Sequence, residues 1–318
     1  MSEPLLKTRI HRIEYAAEDV LTFDLRPPGG DLLPPFTAGA HIDVHMPQGV
    51  ARSYSLLNHA QERHRYLIGI KREAAGRGGS AWMHDAAKVG ALIDISAPRN
   101  NFTLVEDAAH SVLVAGGIGI TPMWCMVQSL AALGRPWTLH FRARSRSSAP
   151  LLHELAQPGI AEHVHLGFSD EGAGRRLDWT RLVAQAPEGS HFYCCGPNAM
   201  IEAFEGACAD VPPERVHVEH FAAKQAAAVE GGFAVRLARS GHELTVEPGQ
   251  SILESLRACG VVVPSSCQQG VCGACETRVL AGRPDHRDLV LSQAEKDSGK
   301  TMMICCSGSH SKELVLDI

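Results

Sequence analysis

The chain has 318 residues, room for two or three domains of about 100–150 residues each. Hydrophobic residues make up 45% and charged residues 20%, with a formal net charge of -5, an ordinary globular mix with no basic block to suggest nucleic acid as a partner. Met1 to Arg12 has no apolar core and does not read as a signal peptide, and the run Val112 to Ile120 is too short and glycine-rich to cross a bilayer. Ten cysteines without an export signal point to thiols or metal ligands in a reducing compartment, with the cytoplasm as the default.

From Thr8 to about Leu104, short alternating apolar runs are separated by turn residues. Val20–Leu25, His41–Met46 and Tyr66–Ile70 are examples, and Pro27-Pro28-Gly29-Gly30, Pro47-Gln48-Gly49 and Asn58-His59 punctuate them. This spacing predicts an antiparallel β-barrel, with a helical turn at Ala81 to Asp85. Two polar clusters interrupt it. In Arg52-Ser53-Tyr54-Ser55, a strand would put Arg52 and Tyr54 on one face and the serines on the other. A basic loop runs from Lys71-Arg72 to Gly76-Arg77-Gly78-Gly79-Ser80, offering backbone N–H groups, a hydroxyl and cations to a phosphate. A solvated hairpin loop would carry the same residues.

The middle third alternates strand and helix. Ser111–Ala115 reads as a buried parallel strand, followed by Gly116-Gly117-Ile118-Gly119-Ile120-Thr121-Pro122 and a helix from Met123 to Leu133, with Thr121 as its cap and Pro122 as its first residue. Strand, glycine loop and helix start suit a pyrophosphate, although Pro122 stands where the dinucleotide fingerprint has its third glycine. Further strands are expected at Thr138–Phe141, Val164–Phe168 and His191–Cys194, and helices at Leu151–Ala156 and Asp178–Ala184. The cations of Arg142-Ala143-Arg144-Ser145-Arg146 are placed to meet ribose or phosphate. The pattern predicts a doubly wound α/β domain with ligands at the carboxyl ends of its strands.

Ala222 to Gly232 is small and polar and reads as a linker. A hairpin follows at Phe233–Leu237 and Glu243–Val246, then a helix from Gln250 to Cys259 in which Cys259 is expected in the core, and a strand at Glu276–Leu280. Between helix and strand lie Cys267, Cys272 and Cys275, spaced C-x4-C-x2-C, with Cys305 after 29 further residues. This is the plant-type ligand pattern of a 2Fe-2S cluster, which needs four thiolates and close backbone passage, as Gly270 and Gly273 allow. Zinc is the rival, but its sites usually pair two C-x2-C knuckles, and only one is present. Of the adjacent Cys305 and Cys306, Cys305 preserves the spacing. From Ala228 onward, nine Lys and Arg face eleven Asp and Glu, so long-range electrostatic steering is weak and docking is expected to be local.

Arg52-Ser53-Tyr54-Ser55 is similar to the flavin motif of the ferredoxin–NADP reductase superfamily, and Gly116–Pro122 and Cys195-Gly196-Pro197 are similar to its two nicotinamide-dinucleotide motifs. With the ferredoxin module last, the whole chain resembles the phthalate dioxygenase reductase family, which includes vanillate demethylase reductases. The resemblance implies an FMN-binding β-barrel over 1–106, an NAD-binding α/β domain over 107–224, and over 225–318 a linker and an α+β, β-grasp 2Fe-2S ferredoxin domain. It implies FMN, NADH and a 2Fe-2S cluster as cofactors, and NADH-dependent electron transfer to a Rieske-type aromatic ring oxygenase or O-demethylase.

The resemblance also suggests residue roles. Ser55 and Cys195 would be catalytic. Arg52, Ser53, Tyr54, Ser55, Gly69, Ile70, Lys71, Gly78, Gly79 and Ser80 would bind flavin. Gly116, Gly117, Gly119, Thr121, Arg144, Ser145, Cys195, Gly196 and Pro197 would bind dinucleotide, with Glu219 and Phe221 closing the flavin pocket. Cys267, Cys272, Cys275 and Cys305 would hold the iron. No nucleic acid or membrane partner is implied. Two other functions use the same parts: a stand-alone flavin or quinone reductase, and an iron–sulfur carrier that binds nucleotides without turnover.

Overall fold

The computed structural model describes residues 4–74, 76–171 and 177–318; Ala75 of the basic loop, and the start of the Met1 to Arg12 segment, lie outside the described residues. The chain divides into two compact units, one running to Phe221 and the other spanning Ala222–Ile318.

The first unit begins with strands β1 (Leu6–Ala17), β2 (Val20–Arg26), β3 (His41–Met46), β4 (Val50–Ser55) and β5 (Tyr66–Lys71), the short helix α1 (Gly79–Asp85), and β6 (Leu92–Ile95). The strands pair in the order β4-β3-β6-β1-β2-β5, every ladder antiparallel. Just beyond β4, Leu56 bridges to Ile68 of β5 and Leu57 N donates to Leu67 O at 2.9 Å. That joins the two outer strands into a barrel and removes the open edges that would otherwise invite wrong pairing. Alternation determines what fills it: Ile10, Phe23, Leu25, Ile42, Val44, Ile68 and Ile70 are buried from solvent, as a period-2 pattern requires when one face lies inward.

The chain continues through β7 (Ser111–Gly116), α2 (Ile120–Ala132), β8 (Trp137–Ala143), α3 (Leu152–Leu155), β9 (Val164–Phe168), α4 (Trp179–Gln185), β10 (His191–Cys195), α5 (Asn198–Ala207) and β11 (Val216–Glu219). The strands form a parallel sheet in the order β11-β10-β7-β8-β9. Leu113, Ala115, Leu139 and Phe141 join one hydrophobic core with α2 and the barrel interior. On the other face, Val112, Val114, Phe192 and Cys194 pack with Leu182 of α4 and Ile201 and Phe204 of α5. Strand order reverses between β7 and β10, so the crevice at their carboxyl ends is where a doubly wound sheet takes a ligand.

The helix start differs from expectation. Gly117, at φ +54, turns the chain into a 3₁₀ turn over Gly117–Gly119 that runs straight into α2. Thr121 is therefore inside the helix and not its cap; its Oγ1 donates to Ile118 O at 3.0 Å. Only glycine reaches that φ cheaply, so the turn comes before the threonine. Asp178, by contrast, caps α4 by accepting from Arg181 N at 3.0 Å.

The second unit holds β12 (Phe233–Leu237), β13 (Glu243–Val246), α6 (Ile252–Ala258), β14 (Glu276–Ala281), β15 (Pro284–Asp285), α7 (Gln293–Ser298), β16 (Thr301–Met303), β17 (Gly308–Ser309) and β18 (Glu313–Leu316). Its main sheet runs β13-β12-β18-β14-β16, with β12 and β18 parallel and the other pairs antiparallel. Ile252, Leu253 and Leu256 turn one face of α6 into the core. Ser251 and Glu254 close a capping box at its start, satisfying N–H groups that would otherwise lack partners. Cys259 is not in that core. It is the C-terminal cap of α6, beyond the buried stripe, and is exposed.

Candidate functional site

The barrel contributes Arg52, Tyr54 and Ser55 from β4. Arg52 is held by its own neighbourhood: Nη1 donates to Ala51 O at 2.7 Å and Nη2 to Arg77 O at 3.3 Å in the basic loop. A side chain at position 79 would strike Arg52 Cγ at 2.7 Å, so glycine there lets the guanidinium lie against the start of α1. Gly78 at φ +84 makes the approach turn. Ser80 Oγ accepts from Glu73 N at 3.0 Å, and Lys71 ends β5 exposed beside this loop. Burial pushes the Tyr54 phenol up to about 12, with the nearby Arg52 charge pulling the other way. Ser53 takes a different part: its hydroxyl donates to Asp43 at 2.6 Å, and Arg99 donates to the other oxygen of the same carboxylate. Ile70 is wholly buried, and its carbonyl takes His84 Nε2 at 2.9 Å. Gly69 faces the nucleotide domain, where a Cβ would meet Thr121 Cγ2 at 2.8 Å.

The two glycine motifs of the parallel sheet interlock. A Cβ on Gly119 would lie 2.2 Å from Cys195 O, one on Gly116 would lie 2.7 Å from Pro197 Cδ, and one on Gly196 would lie 3.1 Å from Gly116 Cα. These contacts explain why glycine stands at positions with ordinary backbone angles: the need is for space. Met200 of α5 fills the remaining gap, its sulfur 2.8 Å from the Cβ position of Gly116 and 2.9 Å from that of Gly196. Sequence pattern did not point to Met200, because neither α5 nor β11 stood out from its periodicity. Beyond β8, Arg144 faces solvent, while Ser145 is knotted into its loop by bonds to Ser147 and Ser148.

Glu219, the last residue of β11, joins the two halves. Its Oε2 lies 3.4 Å from Ser55 Oγ and 3.9 Å from Cys195 Sγ. Burial raises the carboxyl to about 8, more than the Ser55 and Cys195 bonds lower it. Cys195 is fully buried, and burial together with Glu219 pushes its thiol well above the usual range. It is held protonated rather than as a reactive thiolate. Phe221, two residues on, is partly exposed.

In the second unit Cys267, Cys272, Cys275 and Cys305 are all buried. Cys267 N donates to Cys272 Sγ at 3.5 Å and Gln269 N to Cys267 Sγ at 3.3 Å. Cys305 touches both Cys267 and Cys275, and its contact with Cys275, more than burial, raises that thiol. The left-handed backbone of Gln268, Gly270 and Gly273 folds the loop around them. Cys306 turns away: its Sγ lies 3.7 Å from Met303 O and occupies the space beside Gly270, where a Cβ would sit 2.5 Å from it. Among the described residues, no three His, Cys, Asp or Glu side chains converge on a single metal position. Four thiols gathered with amide N–H groups on sulfur fit the demand of a two-iron cluster, two thiolates for each iron.

A flavin barrel sharing its core with a nucleotide sheet, followed by a cysteine-loop ferredoxin fold, defines an electron-transfer reductase. Residues 235–308 match the 2Fe-2S iron-sulfur cluster binding domain. The chain is 64% identical over 310 residues to phenoxybenzoate dioxygenase subunit beta of Ectopseudomonas oleovorans, covering 98% of this chain and 96% of the relative. It is 50% identical over 315 residues to tetrachlorobenzoquinone reductase of Sphingobium chlorophenolicum, covering 97% of each. The solved structure of phthalate dioxygenase reductase, described as modular for electron transfer from pyridine nucleotides to 2Fe-2S, is 40% identical with a TM-score of 0.76, covering 99% of this chain and 98% of that one. This chain belongs to the phthalate dioxygenase reductase family. The multidomain fold class and the oxidoreductase class read from the sequence are borne out. Among the described residues, no helix is long and apolar enough to cross a membrane.

Proposed function

We propose that this chain is the NADH-dependent reductase component of a two-component oxygenase system, acting in the cytoplasm on a Rieske-type terminal oxygenase that hydroxylates or demethylates an aromatic compound. The observation that carries the reading is the meeting of Ser55, Glu219 and Cys195 at the crevice between barrel and nucleotide sheet, in a chain that also carries a four-thiol loop. Bound at this site, FMN would supply the conversion between NADH, a two-electron donor, and a 2Fe-2S cluster, which accepts one electron at a time.

Arg52 would hold the flavin phosphate, with Lys71, Gly78, Gly79 and Ser80 lining its approach. Tyr54 would pack on the ring with Ser55 beside it, and Glu219 and Phe221 would close the other side of the pocket. Gly116, Gly117, Gly119 and Thr121 would take the pyrophosphate together with Arg144, while Cys195, Gly196 and Pro197 would hold the nicotinamide end against Ser55. Cys267, Cys272, Cys275 and Cys305 would ligate the iron. The corresponding division is 1–106 for flavin, 107–224 for dinucleotide and 225–318 for linker and cluster. Burial raises the pKa of Glu219 to about 8, which favours a proton held between Ser55 and Cys195 at neutral pH.

Cys272→Ser tests the route. The variant should lose the iron centre, keep NADH-driven ferricyanide reduction, and lose most of its electron delivery to an oxygenase. Full retention of that delivery would overturn the proposed exit through the cluster. The relative that is a tetrachlorobenzoquinone reductase, at 50% identity, supports a second reading in which a quinone is the acceptor. Steady-state turnover with a chlorinated benzoquinone, compared with turnover after adding the co-purified oxygenase, separates the two.

A further inference from the structure

A 2Fe-2S cluster gains negative charge when it takes its electron, so amide N–H groups on its sulfurs favour the reduced form. How well those amides are aimed is a property of the loop that carries them. In this chain Gln269 N donates to Cys267 Sγ at 3.3 Å and Cys267 N to Cys272 Sγ at 3.5 Å. The next residue, Gly270, is gripped from two sides.

On one side stands Cys306, whose sulfur is 2.5 Å from the place a Gly270 Cβ would take. On the other side runs Asp288-Leu289, so near that the same Cβ would lie 2.9 Å from Asp288 Cα. Leu289 N donates to Gly270 O at 2.8 Å. That bond ties the apex of the cysteine loop to the segment between β15 and α7.

One buried side chain shapes that segment. Asp288 is 1% exposed, and its Oδ2 accepts from Val290 N at 3.2 Å and from Leu291 N at 2.8 Å. A side-chain oxygen here does the work of a turn carbonyl. The Asp288 carbonyl in turn accepts from Lys296 Nζ of α7 at 2.7 Å. The other carboxylate oxygen makes no hydrogen bond among the described residues and lies 3.6 Å from His286 Nδ1. Burying a carboxylate is costly, and only the oxygen that forms the turn is put to use. Without it, two N–H groups lose their acceptor and the peptide carrying Leu289 N is no longer held.

We propose that Asp288 is a positioning residue for the 2Fe-2S centre. By fixing the turn that presents Leu289 N to Gly270 O, it holds the loop apex with its amides on sulfur and raises the reduction potential of the cluster. The inference rests on the four-thiol reading given above, and it adds a residue that ligand spacing does not reveal.

The test is an anaerobic potentiometric titration of the full holoprotein, followed by the low-temperature EPR signal of the reduced cluster. Two uncharged replacements are compared, so that loss of charge cancels. Asp288→Asn keeps an acceptor oxygen for the two N–H groups, and Asp288→Ala does not. The alanine variant should be harder to reduce than the asparagine variant by about tenfold in equilibrium constant, which is 59 mV for one electron. Its g values should shift at equal iron and sulfide content, while the asparagine variant keeps the native ones. Where alanine fails to assemble a cluster, Asp288→Ser takes its place, since a hydroxyl supports the same turn more weakly; it should also be harder to reduce than asparagine. Equal potentials and spectra in the asparagine variant and the truncated one would overturn the proposal, whatever their common displacement from the native protein. So would a potential that rises on truncation. Fewer than about two irons per native chain would remove the four-thiol reading, and the proposal with it.

Discussion

Glu219 Oε2 stands 3.4 Å from Ser55 Oγ, joining the last strand of the parallel sheet to the barrel. Burial raises this carboxyl from 4.5 to about 8. The folded chain therefore holds a proton that the unfolded chain gives up above pH 4.5. The stability contributed by the neutral acid is complete below the unfolded value and is lost as pH rises toward 8, by at most about 1.4 kcal/mol per pH unit. Thermal unfolding of the first unit at pH 5.5 and pH 8 should show this slope in the native chain and a flatter one in Glu219→Gln. A slope unchanged by the substitution would mean that Glu219 is ionised when folded.

Gly119→Ala should be costly although its backbone angles are ordinary. The new methyl would lie 2.2 Å from Cys195 O, so the loop or the strand end must shift. Overpacking of this kind costs roughly 1–3 kcal/mol. The variant should melt lower and show a raised KM for NADH, while flavin content stays intact because the barrel is not touched. An unchanged KM would place the dinucleotide elsewhere.

Cys305→Ser should destroy or shift the visible spectrum of the cluster. Cys306→Ser should leave it nearly intact, because its sulfur faces Gly270 and Met303 O. Iron and sulfide analysis of the two purified variants decides between them, and the reverse outcome would make Cys306 the ligand.

Arg52→Ala should weaken flavin retention by about 1.5–3 kcal/mol, the scale of a hydrogen bond to a charged group. Heat-released cofactor from the native protein should migrate as the mononucleotide, about one per chain, as a single site requires. Release of FAD would contradict the assignment of FMN, and unchanged affinity in the variant would place the phosphate away from Arg52.

Much of this architecture is legible in the chain because its signals are local. Short strands whose apolar residues alternate, such as Ile42, Val44 and Met46 in His41–Met46, announce a barrel whatever lies beside them. A glycine turn between a buried strand and an apolar helix announces a nucleotide fold. Elements whose pattern is set by neighbours were not legible. In α5 only Ile201 and Phe204 are buried, and β11 has no wholly buried residue, so neither carries a clear period. Cys259 read as core because it follows an apolar helix, yet the cap residue has already left the buried stripe.

The sequence by itself determined which chemistry the chain can hold: four spaced cysteines with glycines between them, a basic glycine loop, and paired glycine motifs at strand ends. Spacing along a backbone is enough for those, since each site is built within a few residues of its own loop. Tertiary structure alone decided which side chains meet across distance. It brought Glu219 between Ser55 and Cys195, gave the Ser53 hydroxyl to Asp43, turned Cys306 away from the other thiols, and closed Arg146 onto Glu171 and Phe168. Those outcomes depend on strand order and on which face of each strand is already filled. Burial and the competition of partners for one carboxylate or one cation are properties of the packed molecule and have no counterpart in a linear pattern.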